Sequence, residues 1–173
     1  MKKITTKDLC IRAMLCALVC VATMVIHVPV PATSGYIHLG DSLILIAGIM
    51  FGPMAGMAAG GIGSALADIL LGYGYWAPFT LVIKGLMGFA AGRIAFDGTD
   101  KVFGVNKFVG IFITEAIMVV GYLLAGAILK GSILVSLASV PENIVQAVGG
   151  AILYFVIAYA IKKVGLFKTV SLK

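Results

Sequence analysis

Long apolar runs fill most of this chain, and the short polar breaks between them set its organisation. The runs cover residues 9–28, 39–51, 53–71, 78–96, 107–129 and 139–161. Most reach the roughly 20 residues that an α-helix needs to cross about 30 Å of hydrocarbon. The second is shorter and rises only about 20 Å, so it predicts a short helix or one sunk at one end. The breaks carry the expected punctuation. Thr5 or Thr6 is placed to cap the first helix with Asp8 in its first turn. Pro29 and Pro31 end that helix and open a polar-aromatic loop to His38. Gly52-Pro53 predicts a very tight turn, with proline at the first position of the next helix. Pro78 opens the fourth span, residues 97–106 form the most charged loop, and residues 130–137 read as a short connection. Ser139, with Pro141 and Glu142 in the next turn, predicts the start of the sixth span.

One stretch, residues 39–72, stands apart. Gly52, Gly56, Gly60, Ser64, Asp68 and Gly72 follow one another at intervals of four. That interval forms a single ridge along a helix, and a ridge of small residues lets a second helix approach at its backbone. An aspartate stands near each outer end of this helix pair, Asp41 and Asp68. A carboxylate in an apolar span is costly unless it is paired or wet.

Composition agrees with the pattern. Of 173 residues, 61% are apolar and 12% charged, and mean hydropathy is +1.13, against about 25% charged in a soluble domain. The fold class is therefore all-α and integral to the membrane, a single domain forming a six-transmembrane-helix bundle. The net charge of +6 is informative through its distribution. Eleven cations (Lys2, Lys3, Lys7, Arg12, Arg93, Lys101, Lys107, Lys162, Lys163, Lys168, Lys173) fall on the side of the termini, against Lys130 alone on the other; Lys84 lies within a span. The positive-inside bias puts both termini in the cytoplasm, and the cations are topology signals rather than a nucleic-acid surface. Cys10, Cys16 and Cys20 show no metal spacing and read as small packing residues. Lys2 and Lys3 precede an apolar run too long for a signal peptide, with no small-x-small cleavage site after it.

With that topology the polar side chains gather in the outer leaflet. Asp41, Asp68, Lys84, Thr80, Tyr122, Glu142, Asn143 and Gln146 all lie in outer turns, and only Glu115 sits near mid-membrane. Tyr36 and His38 in one outer loop, and Tyr73, Tyr75 and Trp76 in another, supply flat rings able to stack on a heterocycle. A channel or alternating-access carrier needs polar lining through its depth. The inner halves here are nearly dry, which predicts an outward-opening cup. Plainer readings stand beside the functional ones: Asp41 as a helix cap, Ser139 and Glu142 as a capping box, the aromatics as an interfacial belt, and Lys84 as the neutralising partner of Asp41 or Asp68. No second motif joins Gly40-Asp41 to suggest an aspartyl protease, and no G-x-x-x-x-G-K-[ST] loop exists. No enzymatic activity is expected, and no cofactor.

The segment GDSLILIAGIMFGPMAGMAAGGIGSALADILLGY, followed by Pro78, Thr80, Lys84, Gly85 and Gly88, resembles the substrate-binding S-components of energy-coupling factor (ECF) vitamin transporters. The resemblance implies a high-affinity capture subunit of the bacterial plasma membrane. Its implied partners are a transmembrane coupling subunit and two cytoplasmic ATPases that hydrolyse the ATP. It also implies a docking surface of Ala-x-x-x-Ala type in the first helix, met here by Ala13 and Ala17. Candidate substrate ligands are Asp68, Lys84, Asn143, Gln146 and Glu142, with Tyr36, Tyr73 or Trp76 stacking and Asp41, His38, Thr80, Glu115 and Tyr122 in support. The acids outnumber the single lysine, which favours a neutral or cationic ring. Pyridoxine, pyridoxamine or hydroxymethylpyrimidine come first, then riboflavin or a queuosine precursor. The rival from another class is a stand-alone channel or secondary carrier.

Overall fold

A computed structural model describes residues 5–165 except Ala32, Ser34 and Asp100. Lys2, Lys3, Lys168 and Lys173, counted above on the cytoplasmic side, lie outside the described residues, as does Ser34 of the first outer loop. Helix α1 (Thr6–Val25) opens with a complete capping box: the Thr5 hydroxyl accepts from the Asp8 amide at 3.2 Å, and Asp8 Oδ2 accepts from the Thr5 amide at 3.0 Å. The chain then forms a hairpin where the sequence predicts a loop. Strands β1 (His27–Val30) and β2 (Gly35–His38) pair antiparallel, with His27 opposite His38 and Pro29 opposite Tyr36. Two four-residue strands, one containing proline, are too short to show a period of two. A two-stranded ribbon also has free edges, on which the missing proline N–H costs little.

Helix α2 (Gly40–Phe51) is short, and ten of its twelve residues are buried. Gly52 turns the chain at φ +92°, a conformation that favours glycine, and Pro53 starts α3 (Pro53–Leu70). Within α3, residues Ala59–Gly63 form a π turn, which the spacing of glycines does not reveal. Next come α4 (Ala77–Ala95), α5 (Val105–Lys130), a five-residue helix α6 (Ile133–Leu137) within the predicted connection, and α7 (Val140–Val164). Among the described residues, five helical segments are long and apolar enough to span a membrane, and the shorter α2 makes the sixth helix of the bundle.

The glycine ridge does what close approach requires. A Cβ on Gly88 of α4 would overlap the Gly56 carbonyl of α3, and one on Gly48 of α2 would lie 2.6 Å from the Gly88 carbonyl. Three helices therefore meet backbone to backbone, with dispersion and Cα–H contacts in place of side chains. Around this point Ile44, Ala47, Ala55, Ala59, Met87 and Met118 form a buried apolar cluster, and Leu45, Ile49, Ala91, Ile111, Tyr154 and Ala158 form a second. Met14, Leu18 and Val21 on α1 and Phe112 on α5 are exposed, as lipid-facing side chains should be. The cytoplasmic end is less dry than predicted. Lys107 is buried, donates to the Ala95 carbonyl at 2.5 Å, and pairs with Asp97 at 3.2 Å, closing the end of α4 onto α5.

Candidate functional site

A cavity opens at the end of the bundle where the charge bias places the outside. It encloses about 530 Å³ counting the open solvent of its mouth. Each wall comes from a different element. The hairpin supplies Tyr36 and His38 with Thr33 and Gly35 before them; α3 supplies Ser64 and Asp68; α4 and the turn before it supply Thr80 and Trp76; α5 supplies Tyr122; α7 and its cap supply Ser139, Glu142, Asn143 and Gln146. Asn143 and Gln146 share one face through their three-residue spacing.

Hydrogen bonds between these elements close the walls. Tyr36 donates to Asp68 Oδ1 at 2.5 Å, tying the hairpin to α3. Tyr73 packs on Tyr36 with ring centroids 4.8 Å apart, so it supports the cavity from behind. The Thr33 hydroxyl donates to Glu142 Oε2 at 3.0 Å and ties the hairpin to α7. That bond replaces the capping box: Ser139 makes no side-chain cap bond to α7 and instead donates to the Ser136 carbonyl at 2.7 Å. Tyr122 donates to Thr80 at 3.1 Å, and its ring lies 5.9 Å from Trp76, edge to face. Burial raises the Tyr36 phenol far above its usual range, and the Asp68 charge adds to the shift. It therefore keeps its proton and donates it to Asp68.

The floor is a polar network beneath the cavity. Gln146 accepts from the His38 amide at 3.0 Å and donates to Asp41 Oδ2 at 2.8 Å. Asp41 Oδ1 binds the Lys84 ammonium, and both side chains are fully buried. The amide of Gly40 donates to His38 Nδ1 at 3.1 Å, and the Gln146 side-chain nitrogen lies 3.4 Å from its Nε2. Burial, aided by Lys84 and opposed by Asp41, lowers the His38 pKa to about 4.

Of the candidate ligands, the cavity wall gathers Tyr36, His38, Asp68, Trp76, Thr80, Tyr122, Glu142, Asn143 and Gln146. It does not include Asp41, Lys84, Tyr73 or Glu115. Lys84 and Asp41 are spent on each other, the plainer reading of Lys84; Asp41 does not cap its helix, because it lies inside α2, whose N-cap is Leu39 without a side-chain cap bond. Glu115 is buried on α5 and neither of its oxygens has a hydrogen-bond partner among the described residues. The sequence reading omits Thr33, Gly35, Ser64 and Ser139 from the wall. Ser64 was accessible in principle, because it stands one helical turn before Asp68 on the same ridge. Among the described residues no group of three His, Cys, Asp or Glu side chains could hold a metal.

Comparison with known proteins extends this geometry. A family model described as the ECF-type riboflavin transporter S component matches residues 3–163. An uncharacterised protein of Pyrococcus woesei is 41% identical over 145 residues, covering 84% of this chain and 95% of that one. The thiamine precursor transporter HmpT of Lactococcus lactis is 28% identical over 161 residues, covering 92% and 90%. A solved S component of a bacterial ECF transporter superposes with a TM-score of 0.70 at 20% identity, over 91% of this chain and 96% of that one; at that identity the likeness concerns the fold. The outward cup, the membrane bundle and the family match converge: the chain belongs to the ECF-type riboflavin transporter S-component family, and is a multi-pass plasma-membrane protein, the substrate-binding subunit of a vitamin transporter rather than an enzyme.

Proposed function

We propose that the captured substrate is hydroxymethylpyrimidine, the aminopyrimidine precursor of thiamine. The observation that carries this reading is the charge balance of the cavity. Asp68 and Glu142 are the carboxylates on its wall, and the wall contains no lysine or arginine among the described residues. Lys84 is held beneath the floor by Asp41. Such a wall suits a small ring carrying N–H donors and repels phosphorylated vitamins. The kinship to HmpT supports the same choice over pyridoxine or a queuosine precursor. Riboflavin is the second reading, favoured by the description of the matching family.

The single tryptophan, Trp76, stands in the wall and provides the assay. Hydroxymethylpyrimidine added to purified protein should change its fluorescence at submicromolar concentration, with pyridoxine and thiamine phosphate inactive. Mass spectrometry of the denatured extract should find the same pyrimidine. Recovery of riboflavin, with no response to the pyrimidine, would replace the first reading by the second.

The import cycle in this reading needs a transmembrane coupling subunit and two cytoplasmic ATPases; ATP is hydrolysed there, and this chain binds no cofactor. Ala13 and Ala17 are exposed on α1, which supports their use as the docking surface. Ala17→Trp should leave Trp-independent binding measured by calorimetry intact and abolish uptake by cells. Normal uptake would remove α1 from the docking role.

A further inference from the structure

Two polar atoms on α3 face the cavity without a hydrogen-bond partner among the described residues: the Ser64 hydroxyl and Asp68 Oδ2. Both residues are nearly fully buried, at 1% and 3% exposure. Buried polar atoms left unpaired are rare because each costs its full desolvation. The other oxygen of Asp68 is engaged by Tyr36, and Thr80 lines the same wall from α4. One carboxylate oxygen is thus taken, and Oδ2 has no hydrogen-bond partner among the described residues.

The π turn at Ala59–Gly63 immediately precedes this pair. Gly56 before it and Gly60 within it press against the α4 backbone at Gly88 and Lys84. A π turn inserts one residue, so everything after it is rotated by about 100° relative to a regular helix. Ser64 and Asp68 thereby leave the α3–α4 seam, where the unbroken four-residue ridge would have kept them, and turn into the cavity. Being four residues apart, they lie one above the other on the same face. Together they present a hydroxyl that can donate and a carboxylate oxygen that can only accept.

We infer that Ser64 and Asp68 form a donor–acceptor pair that reads one edge of the substrate ring, the edge on which an amino group adjoins a ring nitrogen. Asp68 Oδ2 accepts from the amino N–H, and Ser64 donates to the neighbouring nitrogen. This rests on the aminopyrimidine reading above and deepens it, because hydroxymethylpyrimidine carries such an edge and pyridoxine does not. It makes Ser64 a specificity-determining residue.

The test crosses two variants with three probes on the full-length purified protein. The probes are 4-amino-5-hydroxymethyl-2-methylpyrimidine, its analogue lacking the amino group, and its analogue with CH in place of the adjoining ring nitrogen. On the unaltered protein each analogue should bind at least about tenfold more weakly than the parent, the range expected for one buried hydrogen bond. Ser64→Ala should weaken the parent by a similar factor yet leave the CH analogue unchanged. Asp68→Asn retains an acceptor for Tyr36 but sets an amide donor against the amino group. It should weaken the parent and spare the analogue that lacks it. Equal losses for parent and analogues in both variants, or analogues bound as tightly as the parent, would overturn the pairing while leaving the substrate reading intact. No binding of the parent by the unaltered protein would overturn both. The analogue series on the unaltered protein does not depend on either variant folding.

Discussion

Lys84→Met tests the division between cavity wall and buried floor. Lys84 and Asp41 are both fully buried, and the carboxylate has two donors, the Lys84 ammonium and the Gln146 amide at 2.8 Å. Methionine fills nearly the same volume, so the loss is electrostatic rather than a cavity. What remains is a carboxylate in a low-dielectric interior with one neutral donor. Breaking a buried pair on one side typically costs about 3–5 kcal/mol, a large share of the roughly 5–15 kcal/mol that holds a domain together. For a chain of this size that corresponds to a fall in melting temperature of roughly 6–20 °C. Adding Asp41→Asn should recover most of it, because the asparagine carbonyl still accepts from Gln146 and no charge is left bare. The assay is a thermal melt of purified protein in detergent, with substrate affinity measured well below the transition. Affinity in the double variant should stay within a few-fold of the parent chain, because neither side chain lines the cavity. A Lys84→Met protein that melts normally but no longer binds would refute this reasoning and return Lys84 to the ligand set.

Gly88→Ala should lower the melting temperature by the equivalent of about 1–3 kcal/mol, because its Cβ would overlap the Gly56 backbone, whereas Gly149→Ala, with open space around it, should be neutral. Equal melts for the two would mean that α3 and α4 do not touch as described. Glu142→Ala removes the acceptor of Thr33 and with it a link between hairpin and α7; stopped-flow fluorescence should show faster substrate release, and an unchanged rate would mean the hairpin does not cover the site. His38 gives a pH dependence with a definite sign. Its folded-state pKa of about 4 lies below the ordinary 6.5, so the unfolded chain binds the extra proton. Stability is therefore full above about 6.5 and declines as pH falls towards 4, by up to about 1.4 kcal/mol per pH unit. His38→Gln should flatten the melting curve across that window, and an unaltered slope would assign it to other groups.

What was legible in the sequence was what local spacing controls. Apolar run lengths gave the bundle helices, Gly52-Pro53 gave the tight reversal, and the four-residue ridge gave the close helix pair. The gathering of polar side chains at one end was also visible, because depth follows from position along a span. Pairings across the chain were not. Glu142 satisfies a local capping pattern with Ser139, yet bonds Thr33 across 109 residues. Lys84 could have faced a ligand or an acid, and only tertiary structure brings Asp41, 43 residues earlier, within reach. The π turn hides because inserting one residue per turn alters no composition, although it decides which way Ser64 points. The hairpin hides behind its prolines.

The twelve-residue length of α2 sets the capacity of the site. A central helix rising about 18 Å in a layer about 30 Å deep leaves some 12 Å unfilled above or below it. Here its first turn, with Asp41, stops beneath Gln146 and His38, so the shortfall lies above them. A related chain with one more turn at that position would have its bowl filled by its own backbone. One with a turn fewer could accommodate a bulkier guest on an unchanged scaffold, so the point at which one buried rod ends is a dial for the size of molecule admitted.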